Sequence, residues 1–127
     1  MRNSIWQDFK LYVLHSNNSV NHIMALNIFI FLVMQLFWVI CNLFLTGMNW
    51  YYYFNSLLSF PSSLSRIIFQ PWSVITYQFM HAGIWHLFMN MLMLLLAGRI
   101  FTEFLGFKKF VSVYLLGGIA GAFVYAL

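Results

Sequence analysis

His81-Ala82-Gly83-Ile84-Trp85-His86-Leu87-Phe88-Met89-Asn90 puts two imidazoles and a carboxamide into ten residues of a run with no charge between Val74 and Arg99. Val74 to about Leu96 is long enough to cross a bilayer as a helix, which takes about 20 residues. Polar side chains at membrane depth are expensive, about 2.5–3.5 kcal/mol for charged ones on insertion scales, so each marks a functional site by default. The triplet His81, His86 and Asn90 is therefore the candidate site.

Composition puts the run in a membrane. The chain has 127 residues, of which 63% are hydrophobic and 6% charged, and its mean hydropathy is +0.83. Soluble domains carry about 25% charged residues, so this chain cannot clothe itself in a water-compatible surface. The net charge of +4 comes from few side chains; no clustered basic patch offers a nucleic-acid footprint. Cys41 is the single cysteine, so an intrachain disulfide is excluded.

The expected fold is all-α, a polytopic membrane helix bundle. Residues 1–22 read as a cytoplasmic lead-in in which Ile5, Trp6, Phe9 and Val13 recur at helical spacing, suited to a short interfacial helix. Asp8 interrupts that stretch and no small-residue cleavage site follows, which excludes a signal peptide. Residues 23–127 form the membrane part, with spanning helices expected at about 23–45, 74–98 and 110–127. Gln35 in the first reads as an interhelical hydrogen-bonding residue. The connection 47–71 carries the aromatic run Trp50-Tyr51-Tyr52-Tyr53-Phe54 and is broken by Pro61 and serines, so it is expected to lie in the interface or dip into it. Ser73 is the candidate N-cap of the second span.

Charge gives the orientation. Arg2, Lys10, Arg99, Lys108 and Lys109 lie on one side of the helices and Arg66 alone on the other, which puts the N-terminus in the cytoplasm. The aromatic connection and the His81 end of the second helix then face outward.

On a regular helix His86 and Asn90 are one turn apart and about 40° around the axis, so two donors can converge on one oxygen. His81 would lie about 140° from His86, unless it sits at a frayed helix start before Gly83. Metal binding fits poorly, because His81 and His86 have the wrong spacing and no Cys, Asp or Glu is near. The remaining alternative for the triplet is interhelical hydrogen bonding without chemistry.

Pro71-Trp72-Ser73, Thr76, Phe79, His81-Ala82, His86, Asn90, Gly98, Gly106 and Tyr114-x-x-Gly117-Gly118-x-x-Gly121 resemble the rhomboid intramembrane serine proteases. The resemblance runs from Ile67 to about Gly121. It implies a six-helix fold, of which this chain would supply the N-terminal half with three spanning helices. It further implies that Asn90 and His86 stabilise the oxyanion of a tetrahedral intermediate and that His81 supports the outward-facing cavity. Transmembrane protein substrates, a lipid bilayer, a bacterial inner membrane, and neither cofactor nor metal are the expected surroundings. Gly117 and Gly121 would form a close-packing face on the third helix.

The family's nucleophile is a serine in a Gly-x-Ser-Gly motif on the fourth helix, and its general base is a histidine on the sixth. Neither motif occurs in these residues. The expectation is a rhomboid-type endopeptidase fragment with oxyanion donors, inactive by itself. The alternative is a non-catalytic rhomboid-like module that binds transmembrane helices.

Overall fold

The computed structural model describes residues 19–44 and 49–126. The expected interfacial helix lies outside the described residues up to residue 18, and residues 19–22 already belong to the first long helix. In chain order the elements are α1 (Ser19–Phe44), α2 (Trp50–Leu58), α3 (Leu64–Phe69), α4 (Ser73–Thr76), a 3₁₀ turn (Tyr77–Phe79), α5 (Ile84–Leu105) and α6 (Phe107–Ala126). There is no strand among the described residues. Helices α1, α5 and α6 are each long and apolar enough to cross a membrane. At 1.5 Å per residue, the 26 residues of α1 reach about 39 Å, beyond the hydrocarbon thickness. The protein is an all-α membrane helix bundle.

The three long helices meet where side chains are small or interlock. Phe31 of α1 packs with Leu87 and Met91 of α5, and Met24 and Leu94 flank them. Further along α5, Gly98 lets α1 and α6 come close: a Cβ there would stand 2.9 Å from Val20 Cγ2 and 3.1 Å from Phe110 Cζ. Close approach through small residues compensates for the absence of a hydrophobic drive between helices in lipid. Asn27 makes an interhelical bond, donating from Nδ2 to the Tyr114 hydroxyl at 3.2 Å. Gln35, expected in that role, takes no part in this contact. Leu32, Leu36 and Leu43 remain exposed on α1, a surface for hydrocarbon or further helices.

The expected helix over 74–98 is not one helix. Residues 73–79 form α4 and the 3₁₀ turn, Met80 is extended, and the spanning helix starts only at Ile84 and runs on to Leu105. Hydropathy alone reads residues 74–96 as continuous, because the break is made by hydrogen bonds to distant elements. The Trp72 indole donates to Leu57 O at 2.8 Å and Thr76 Oγ1 to Leu58 O at 2.7 Å. These bonds satisfy the last carbonyls of α2, which no residue within that helix can reach. Ser73 is not an N-cap either: wholly buried, it sends its hydroxyl back to Gln70 O at 2.7 Å.

The α5–α6 joint is abrupt. Gly106 adopts φ +77°, the left-handed conformation that glycine enters without a Cβ penalty, and α6 begins at the next residue. The spanning helix expected at 110–127 therefore starts three residues earlier.

Candidate functional site

The break before α5 decides where the histidines go. In a continuous helix His81 and His86 would diverge; instead their ring centroids are 5.4 Å apart at an interplanar angle of 57°. His81 lies in the irregular segment between the 3₁₀ turn and α5, the frayed-start arrangement. Its Nδ1 is 3.1 Å from Phe79 O and donates to that carbonyl, leaving Nε2 as an acceptor in the neutral ring. Burial holds the His81 imidazole below its ordinary range; the Phe79 carbonyl opposes this and His86 adds to it.

His86 is fixed in the complementary sense. The Ala82 N–H donates to His86 Nδ1 at 3.3 Å. The neutral ring then carries its proton on Nε2, which faces away as a donor. The same bond supports the start of α5, where a side chain in the first turn reaches back to an N–H just before the helix.

Two neighbouring cavities open on these residues. The larger, of about 530 Å³, lies between α2, the break and the end of α6, with Tyr51, Tyr52, Asn55, Tyr125 and His86 on its walls. The smaller, of about 350 Å³, is bounded by Asn27, Gln78, Asn90, Tyr114 and Gly118. Tyr77 and His81 line both. The structure thus joins His81 to His86 and puts Asn90 one turn further along α5, on the wall of the second cavity. His86 and Asn90 share a helix face but not one cavity.

Tyr77 and Gln78 fasten this arrangement to α6. The Tyr77 hydroxyl donates to Gly118 O. Gln78 Nε2 donates to Leu115 O and Val74 O, each at 3.3 Å. Gly118 makes room for the Gln78 amide, since a Cβ there would fall 2.0 Å from Gln78 Cδ and displace it. The close-packing face expected at Gly117 and Gly121 is displaced accordingly: nothing lies within 4 Å of a Cβ at Gly117, and at Gly121 the Tyr77 hydroxyl stands at 3.3 Å. Sequence reading places Asn27 near one end of the first span without a role and passes over Gln78. Gln78 carried a usable signal, an amide in the same uncharged run as the triplet.

Among the described residues no group of three or more His, Cys, Asp or Glu could hold a metal. Ser56, Ser73 and Ser112 donate their hydroxyls to nearby carbonyls, Tyr53 O, Gln70 O and Lys108 O, and the bonds of His81 and His86 run to Phe79 O and the Ala82 N–H.

Residues 69–127 match the family model described as Rhomboid domain. No curated protein and no solved structure matches the chain. The matched region begins just before Pro71-Trp72 and takes in the break, His81, His86, Asn90 and the whole of α5, and it supports a rhomboid-family protein.

Proposed function

We propose that this chain is part of a rhomboid-type intramembrane serine endopeptidase that cleaves membrane-anchored proteins, with Asn90 and His86 as oxyanion donors and His81 as a supporting residue. The observation that carries the reading is the acceptance of the Ala82 N–H by His86 Nδ1. That bond commits the Nε2 proton to donation, and a preorganised donor is what a developing oxyanion requires. Asn90, one helical turn on, offers a second N–H donor on the same face. The Gly-x-Ser-Gly nucleophile and the general base belong outside these residues.

The test compares residues 1–127 alone with the protein expressed natively from its own gene. Serine-directed fluorophosphonate labelling should leave residues 1–127 blank, because donors cannot stabilise an intermediate that no nucleophile forms. The native protein should be labelled and should cut a model transmembrane substrate. A labelled serine within residues 1–127 that also supports cleavage would overturn the assignment. The second reading is a non-catalytic module that binds transmembrane helices. A native protein that neither labels nor cleaves would establish it.

The orientation follows from the charge asymmetry. The N-terminus and Lys108-Lys109 face the cytoplasm, and residues 50–65 face outward. With Cys41 replaced, single cysteines at position 52 should react with an impermeant maleimide from outside and those at position 108 only after permeabilisation. Outside reaction at 108 would invert the scheme.

A further inference from the structure

Ile28, Leu32, Gln35, Val39 and Asn42 follow one another on α1 in steps of four, three, four and three residues. That is the spacing of a heptad seam, which keeps one face of a helix against a neighbouring helix. At 1.5 Å per residue the seam runs about 21 Å, most of the hydrocarbon thickness. No described element covers it: Ile28, Leu32, Val39 and Asn42 are all exposed. Its polar members are short of partners. Asn27, off the seam, turns inward to Tyr114, whereas the half-buried Gln35 amide makes no hydrogen bond among the described residues. Asn42 Nδ2 donates to Trp38 O of its own helix at 2.7 Å, which leaves its Oδ1 for a neighbour. Lipid tails offer an amide neither donor nor acceptor, so a carboxamide in the middle of a span calls for a partner on another helix.

We infer that this seam is a self-association surface, and that its occupant is α1 of a second copy of this chain. The case for a copy is complementarity. Copies inserted under one charge asymmetry share one orientation in the membrane, so two α1 helices can meet only in parallel. In a parallel two-stranded seam each heptad position faces its own equivalent, so Gln35 meets Gln35 and Asn42 meets Asn42. A carboxamide holds donor and acceptor together, and each amide therefore both gives and receives across the two-fold axis. A register shifted by one heptad would set one copy's Gln35 against Ile28 and leave that amide unpaired, so the polar positions also fix the alignment. The seam lies apart from the two cavities at the histidines, to which α1 contributes only Asn27. The inference does not depend on protease activity, and its test reads no turnover.

Oxidative cross-linking of single cysteines, in the full-length protein with Cys41 replaced and reconstituted in liposomes, tests this. Val39 and Ile40 are equally exposed, at 40% and 41%, and sit at nearly one depth, but Ile40 points about 100° away from Val39. Val39→Cys should cross-link to a dimer and Ile40→Cys should not. Gln35→Leu in the Val39→Cys protein removes the amide pair while adding apolar surface. It should raise the dimer dissociation constant, read from the cross-linked fraction across a series of protein-to-lipid ratios. The expected rise is roughly three- to twentyfold, the range for one interhelical hydrogen bond in a membrane. Gln35→Asn keeps donor and acceptor and should stay nearer the parent than Gln35→Leu. Equal cross-linking at positions 39 and 40, or none at either, would show that the seam does not pair. Undiminished association of Gln35→Leu would show that the amides do not hold it. Either result overturns the inference.

Discussion

Asn90→Ala lowers kcat roughly 10²–10³-fold in the active protease proposed for this chain, the usual loss for one preorganised oxyanion donor. The loss is smaller if His86 and backbone N–H groups share the charge. His86→Ala acts on the same step, so the double variant loses less than the product of the two single losses. His86 also accepts the Ala82 N–H, and its removal should lower Tm as well, so kcat is read well below the reduced melting temperature. His81→Ala works differently: it gives up the bond to Phe79 O that shapes the break, and its effect is mainly a fall in Tm. Gln35→Ala is the control, with a small stability change and an unaltered kcat. Substrate cleavage and thermal melting of the four single variants and the Asn90/His86 double variant decide the matter. Full kcat in Asn90→Ala with a loss in Gln35→Ala would return the triplet to packing.

Gly118→Ala is the second large effect, and here the readout is stability. The new Cβ would stand 2.0 Å from Gln78 Cδ and 2.1 Å from its Oε1. The amide must leave, abandoning the carbonyls of Val74 and Leu115. Unmade bonds of buried polar groups cost about 1–3 kcal/mol, so thermal unfolding should shift down by several degrees. Gly117→Ala, one residue away with open space around its Cβ position, should leave the unfolding free energy within about 0.5 kcal/mol of the parent. Combining Gly118→Ala with Gln78→Ala removes the clash, and the double variant should be more stable than the sum of the two single losses. Equal melting of the Gly117 and Gly118 variants would show that Gln78 does not pack against α6 in this way.

Much of the architecture is written locally. An uncharged run long enough to span a bilayer is visible without any partner, which is why α1 and α6 fall near their expected places, whereas α5 starts at Ile84 instead of 74. The aromatic cluster at Trp50–Phe54 and the helix-ending Gly106 are also local, since interfacial preference and a positive φ depend on the residue itself. His86 and Asn90 share a face through helical spacing alone.

The break at residues 80–83 is different. What holds it are bonds across long stretches of chain, from Thr76 to Leu58, from Tyr77 to Gly118 and from Gln78 to Leu115. Hydropathy registers these side chains as interruptions of an apolar run but cannot say which carbonyls they will reach. The amino-acid sequence by itself determined a membrane bundle with three spans and the residue types of the site. Tertiary structure decided that His81 meets His86, that Asn90 faces a separate cavity, and that Gly118 rather than Gly117 makes room for the Gln78 amide. The reason is physical: spans are set by each residue's transfer from water to lipid, whereas the site is set by backbone carbonyls that become available only once α2 and α6 have been brought alongside.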